Sequence, residues 1–278
     1  MTTSDARLAT DREGIADYRF FRFLGAGNHG VFYLAYRPER LPVDAEFVAV
    51  KVLASSNTQD TFRRATRELA AFAAVRSPYL VTLFDAGQQG DELYYSMEYL
   101  PAGSLADAIG AVPPAQVLGA VADAARAADA LHEAGIAHND IKPGNVLLSD
   151  GHAKLSDLGL SQQLTPGLTI TGIGSVGSVE FLDPAVIRGE MPGRATDIFA
   201  LGATLHRGLT GTGLYGELPA GNTMLAMRRV LGHEPEISPN LPADVRAVIA
   251  AAINPDPAAR PATAAELAER IDALNEVL

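Results

Sequence analysis

Between residues 18 and 86 the apolar positions come in short runs rich in aromatic and β-branched residues, separated by glycine and polar turns. That pattern predicts strands over 18–24, 31–36, 46–53, 80–85 and 93–100. One interruption, 61–75, has apolar residues at helical spacing and predicts a helix. After Pro101-Ala102-Gly103, a break in any regular element, the period changes. Helices are predicted over 104–109, 114–134, 196–209, 222–230, 243–253 and 263–275, with two short strands at 146–148 and 153–155. The alanine-rich stretch 117–134 carries Val117, Val121, Ala124, Ala128 and Leu131 along one stripe and reads as a buried helix. The expected organisation is a polar lead-in at 1–17, a β-rich lobe at 18–100 and a mainly helical lobe at 101–278, an α+β protein with no internal repeat.

Composition narrows the function classes. The 278 residues are 47% apolar and 20% charged, ordinary for a globular chain. The formal net charge of -11 argues against a nucleic-acid partner. The absence of cysteine excludes disulfides, thiolate nucleophiles and cysteine metal sites. No run reaches the roughly 18 apolar residues of a membrane span, and the first residues lack a signal-peptide core, so a cytoplasmic location without membrane contact is expected.

Candidate chemistry begins at Gly25-Ala26-Gly27-Asn28-His29-Gly30-Val31. Glycines let a backbone turn tightly and approach phosphate oxygens. A dinucleotide fingerprint would open a helix with an acidic residue about 20 positions on. Here the loop runs into Val31-Phe32-Tyr33-Leu34-Ala35-Tyr36, a β-prone run, so strand–glycine loop–strand is the expected arrangement. Next, Val48-Ala49-Val50-Lys51 places a lysine in an apolar strand, where its charge needs a partner. Glu68 on the predicted 61–75 helix is the candidate, while Arg63, Arg64 and Arg67 read as that helix's solvated side.

The most specific signal is His138-Asn139-Asp140-Ile141-Lys142-Pro143-Gly144-Asn145, followed after a short strand pair by Asp157-Leu158-Gly159. These four elements in this order resemble the protein kinases, specifically the eukaryotic-like (Hanks-type) serine/threonine kinases of bacteria. The resemblance runs from about residue 18 to 275 and implies a bilobal protein-kinase fold, with ATP and Mg²⁺ (Mn²⁺ as an alternative) as cofactors. It also implies roles. Gly25, Gly27, Gly30, Val31, Ala49, Met97, Glu98 and Leu100 would line the nucleotide site, Met97 to Leu100 forming the adenine-binding hinge. Lys51, held by Glu68, would orient phosphates, and Asn145 and Asp157 would hold the metal. Asp140 would take the acceptor hydroxyl's proton and Lys142 would stabilise charge near the γ-phosphate. Gly177-Ser178-Val179-Glu180-Phe181 resembles the family's acceptor segment, with Ser178 positioning substrate. Lys142 and this segment favour serine or threonine of a protein over tyrosine or a small molecule. Thr169 and Thr171 are the autophosphorylation candidates, and a regulatory partner protein is a further expectation.

Three departures matter. Asn139 replaces the family arginine that grips an activation-loop phosphate, and an amide cannot make that charge-assisted bond. A strict need for phosphorylation of the loop hydroxyls is therefore not expected. Leu158 replaces the phenylalanine of Asp-Phe-Gly, a mild change. Ala185 replaces the glutamate that pairs with the arginine matched by Arg260, which leaves Arg260 to find another acceptor, Asp183 being the candidate, or to be solvated. Among the histidines, His29 is expected at a loop tip, His132 on the surface and His138 in a structural role, and His206 and His233 show no metal spacing. Two alternatives stay open: a pseudokinase acting as an ATP-binding scaffold, and a small-molecule kinase.

Overall fold

The computed structural model describes residues 12–27, 30–53, 59–157 and 176–275. His29, Leu158, Gly159 and the loop hydroxyls of Ser161, Thr165, Thr169, Thr171 and Ser175 lie outside these. The chain divides into two compact units, one running to Ala73 and taking up Val81–Tyr99, the other holding Ala74–Leu80 and the described chain from Leu100 onward.

The first unit is an antiparallel sheet of six strands and one helix. The strands are β1 (Gly14–Ile15), β2 (Tyr18–Gly27), β3 (Gly30–Tyr36), β4 (Phe47–Leu53), β5 (Leu83–Gln89) and β6 (Glu92–Met97), in the order β1-β2-β3-β4-β6-β5. Strand alternation sorts the side chains. Ile15, Tyr18, Tyr33, Val48, Val50, Val52 and Tyr94 form one apolar cluster, with Phe20 stacked on Tyr33 at 3.9 Å. Each of these aliphatic side chains contributes roughly 1.5–3 kcal/mol on burial. The Tyr18 hydroxyl keeps polar partners inside that core, bonding Ser96 Oγ at 2.7 Å and donating to Asp85 at 3.0 Å. Helix α1 (Gln59–Ala74) buries Leu69 and Phe72 and leaves Arg67 exposed.

The predicted 80–85 strand is displaced. Leu80 belongs to the second unit, where it bridges to Leu155, and β5 continues to Gln89 along β6. The polar residues 85–89 pair because β6 supplies a complete ladder, which outweighs their weak strand propensity.

The second unit is built on two buried helices, α3 (Pro114–Glu133), which follows the single-turn α2 (Leu105–Ala108), and α6 (Arg194–Thr210). Alanine and glycine let them sit close. A Cβ at Gly208 would lie 2.7 Å from Val117 of α3, and one at Gly202 would lie 2.7 Å from the Ala252 Cβ. Ala252 ends α8 (Ala243–Ala252), and α9 (Ala264–Asn275) packs along α3. A ribbon of β7 (Val146–Ser149) and β8 (His152–Leu155) turns at Asp150-Gly151, where Gly151 takes φ 76°. Two single-turn helices, α4 (Val176–Val179) and α5 (Pro184–Ile187), and the longer α7 (Thr223–Gly232) complete it. No helix among the described residues is long and apolar enough to cross a membrane.

Candidate active site

In the second unit, the loop between α3 and β7 is fixed by one carboxylate. Asp197 sits in the first turn of α6, where the helix dipole favours an anion, and is 1% exposed. It accepts from the backbone N–H of His138 (2.7 Å) and Asn139 (2.8 Å) and from His132 Nε2 (2.8 Å). His132 is therefore not the surface residue expected at a helix end. It is 1% exposed, because it continues the buried stripe of α3 and finds an anion there. Asn139 takes φ 65°, a left-handed conformation that asparagine tolerates better than most residues. The Asn139 side chain brings no charge to this point, and its buried Oδ1 has no hydrogen-bond partner in the structure.

His138 is buried and bonded on both sides, as its structural role requires. Nε2 donates to the Ser156 carbonyl at 3.0 Å and Nδ1 accepts the Asp140 N–H at 3.3 Å. Together the two bonds need the neutral ring, since Nδ1 can accept only when it carries no proton. Burial pulls its pKa below the usual imidazole value, against the raising effect of Asp197 and Asp140. His206 is shifted down in the same way, by burial, with Nδ1 donating to the Thr212 carbonyl at 3.1 Å and Nε2 accepting from Ser238 N–H at 3.1 Å. For a histidine whose folded pKa is depressed, the unfolded chain binds more protons. Stability is then complete above the unfolded value of 6.5 and falls as pH drops below it. Urea midpoints should decline between pH 7 and 5, with His138 alone contributing up to about 1.4 kcal/mol per pH unit. A midpoint unchanged across that range would show that neither ring is locked neutral.

The Asp140 carboxylate is held from two sides. Lys142 Nζ donates to both of its oxygens (2.9 and 2.7 Å), and Asn145 Nδ2 donates to Oδ2 (3.0 Å) and to the Asp140 backbone carbonyl (2.7 Å). Lys142 also donates to Ser178 Oγ at 3.2 Å, so one ammonium joins the catalytic loop to α4. A small cavity opens beside Asp140, lined by Ser178, Phe181, Leu182, Val186, Pro192 and Ala200 among others. Asn145 is tied to Ser156, whose N–H donates to its carbonyl at 2.8 Å and whose Oγ donates to the same oxygen at 3.2 Å. That link carries Asp157, at φ 58°, next along the chain from Asn145's partner.

Arg260 is buried and has found the acceptor that Ala185 cannot supply. It bonds Asp183 through Nη1, which also donates to the Ala195 carbonyl at 2.7 Å, while Nε donates to the Asn254 carbonyl at 2.8 Å. The other oxygen of Asp183 caps α5 by accepting Ala185 N–H at 2.9 Å.

In the first unit, cross-strand partners share a face. Lys51 pairs with Phe32 and Tyr95, and Ala49 with Leu34 and Met97. Lys51, Ala49 and Met97 thus lie together on the face opposite the Tyr18–Val50 cluster, and Lys51 is 7% exposed. Val31, expected to line the nucleotide site, does not share that face. It pairs with Val52 and packs against the apolar cluster, because side chains alternate along β3. Phe32 shares the Lys51 face instead, its ring centroid 4.7 Å from Lys51 Nζ. Gly30 has a structural reason of its own, since a Cβ there would meet the Val52 carbonyl oxygen at 2.2 Å. Gly25 and Gly27 close the other side of the same hairpin. Glu68 is half-buried on α1, and Glu98 N–H donates to the Thr82 carbonyl at 2.9 Å while its side chain accepts Thr82 N–H at 2.7 Å.

Comparison with known proteins agrees with this layout. The family model described as the protein kinase domain matches residues 18–270. Serine/threonine-protein kinase PknJ of Mycobacterium tuberculosis is 36% identical over 91% of the chain, which covers 44% of PknJ. PrkC of Bacillus subtilis, also a serine/threonine-protein kinase, is 32% identical over 93% of the chain and 41% of its own length. The chain thus spans less than half the length of these curated relatives. The crystal structure of the M. tuberculosis PknI kinase domain superposes with a TM-score of 0.70 at 24% identity, covering 94% of this chain and 98% of that one, which shows the shared fold. The chain belongs to the protein kinase family, in its bacterial serine/threonine branch, whose domains use ATP and a divalent metal and act on proteins.

Proposed function

We propose that this chain transfers the γ-phosphoryl group of ATP, with Mg²⁺, to serine or threonine hydroxyls of a protein. The observation that carries the reading is the Asp140 carboxylate, held by Lys142 and Asn145 while Lys142 also reaches Ser178. Asp140 accepts the proton of the acceptor hydroxyl. The hydroxyl oxygen bonds to the γ-phosphorus as the bond to the β–γ bridging oxygen breaks, and ADP leaves. Lys142 neutralises charge on the moving phosphoryl group, the main demand of a loose transition state. Lys51, with Glu68, orients the α- and β-phosphates, the Gly25–Gly30 hairpin covers them, and Ala49, Met97, the Glu98 carbonyl and Leu100 take the base. Ser178 positions the acceptor.

The residues fit a magnesium ion. With Nδ2 of Asn145 committed to Asp140, its Oδ1 is the atom left for a cation, and Asp157 follows Ser156, which is bonded to Asn145. No cluster of three or more metal-binding side chains occurs among the described residues. Magnesium takes one or two protein oxygens and completes its shell with phosphate and water. Bound there, it neutralises the phosphate oxygens; Mn²⁺ is the alternative occupant. The use of ATP implies a cytoplasmic domain.

The test is incubation with γ-labelled ATP, Mg²⁺ and a generic protein acceptor, followed by phosphoamino-acid analysis. Label on phosphoserine or phosphothreonine is expected. Bound ATP without transfer would replace this reading with a scaffold, and transfer only to small hydroxylated compounds would replace it with a metabolite kinase. Because Asn139 offers a loop phosphate no charge, changing Ser161, Thr165, Thr169, Thr171 and Ser175 together to alanine should leave activity within about threefold. Loss of activity would show that a phosphate there is required through another residue.

A further inference from the structure

The catalytic lysine of the proposed reaction stands against aromatic rings. The family's glycine-loop pattern places a valine two residues after its third glycine. Here that position is Phe32. It is the direct cross-strand partner of Lys51, and Tyr95 is the partner on the other side. Lys51 Nζ lies 4.7 Å from the Phe32 centroid and 5.9 Å from that of Tyr95. Both distances fall within the reach of a cation–π contact. The ammonium is also withdrawn from water, with Lys51 7% exposed, and this is the condition under which such contacts are strongest.

A valine at this position could only wall the site. A phenyl face does more, because its negative quadrupole is directed at the cation and fixes one side of it. Lysine is otherwise a point charge on a flexible four-carbon stem. A cation–π contact uses none of the ammonium's directional donors, so it does not compete with the bonds they make to carboxylate or phosphate oxygens. Strand pairing holds Phe32 and Lys51 in register, so the placement does not depend on a loop.

We propose that Phe32 is a positioning residue for ATP: its ring holds the Lys51 ammonium where the phosphates arrive, and so sets nucleotide affinity through the phosphates and not through the base. The proposal rests on the kinase reading above, but calorimetric binding tests it without turnover. Phe32→Leu keeps an apolar side chain of similar size and removes the quadrupole, and Phe32→Tyr keeps the ring. Titrations of each with Mg-ATP and with adenosine separate the two ends of the nucleotide.

The expected result is that Phe32→Leu weakens Mg-ATP binding roughly 2- to 30-fold, the range a cation–π contact supplies. Adenosine affinity should stay within a factor of two, and Phe32→Tyr should bind both as the unaltered chain does. In a working kinase the same loss would appear in KM for ATP. Equal losses for adenosine and ATP would overturn the proposal and make Phe32 a wall for the base. Unchanged ATP binding in Phe32→Leu would overturn it too. A chain that binds nucleotide with this pattern yet transfers no phosphate would leave the inference standing and remove the proposed activity.

Discussion

Asp140→Asn should lower the rate of phosphoryl transfer by roughly 10²- to 10⁴-fold, the contribution of a positioned general base. The substitution keeps the side chain's shape and one acceptor oxygen, so Asn145 retains a partner, while the negative charge that Lys142 contacts at 2.7 Å is lost. The group proposed to accept the hydroxyl proton is removed and the residues proposed to bind phosphate are left alone. The loss should therefore appear in kcat, with KM for ATP changed less than threefold. Thermal melting should move little, because Lys142 keeps Ser178 as a partner and the loop is anchored by Asp197 and not by Asp140. Single-turnover measurement of the variant beside the unaltered chain decides it. Retention of more than about a tenth of the rate would show that Asp140 does not take the proton and would move the chemistry to another base.

Much of this site was legible because its residues are local. The run from His138 to Asn145 and the strand pair before Asp157 are contiguous, and their order carries the resemblance to the protein kinases. The sheet was legible for the same reason, since alternation is a short-range signal. What was missed is long-range or depends on register. Val31 and Phe32 differ by one position. Which of them shares a face with Lys51 depends on the register between β3 and β4, which sets Phe32 opposite Lys51 and Val31 opposite Val52, and the glycine pattern carried that information only if counted to its valine. His132 was misplaced because a histidine in the last turn of a helix usually meets water. Its spacing, four residues after the buried Ala128 and seven after the buried Ala125, already put it on the apolar stripe. The contacts by which Asp197 anchors the 138–145 loop are long-range, because its partners are 58 to 65 residues away. The single-turn helices α4 and α5 have too few residues to show a period.

Arg260→Met should destabilise the chain by about 3–5 kcal/mol, the cost of leaving a buried carboxylate without its counter-ion. For a unit of this size that corresponds to a fall in melting temperature of roughly 6–20 °C. The geometry supports the high figure: the side chains of Arg260 and Asp183 are 1% and 2% exposed, so solvent cannot take over either partner. Arg260 also ties Ala195 near the start of α6 to Asn254 beyond α8, and lies 5.3 Å from the Phe199 ring, so its removal loosens three segments at once. Asp183→Asn is the informative companion, since an amide oxygen can still cap α5 at Ala185 while the charge is gone. The double variant should cost clearly less than the sum of the two singles, because removing both charges leaves no unpaired ion in the interior. Additive costs would mean that the two side chains do not interact. Function offers a second readout. Asp183 follows Phe181 and Leu182, which line the cavity beside Asp140, so the surviving folded fraction of Arg260→Met should bind protein acceptor more weakly. Its KM for ATP should not change, because no ATP contact is assigned to that segment. This chain thus lacks the family glutamate but keeps its electrostatic task, two residues earlier, with one carboxylate serving both as helix cap and as counter-ion.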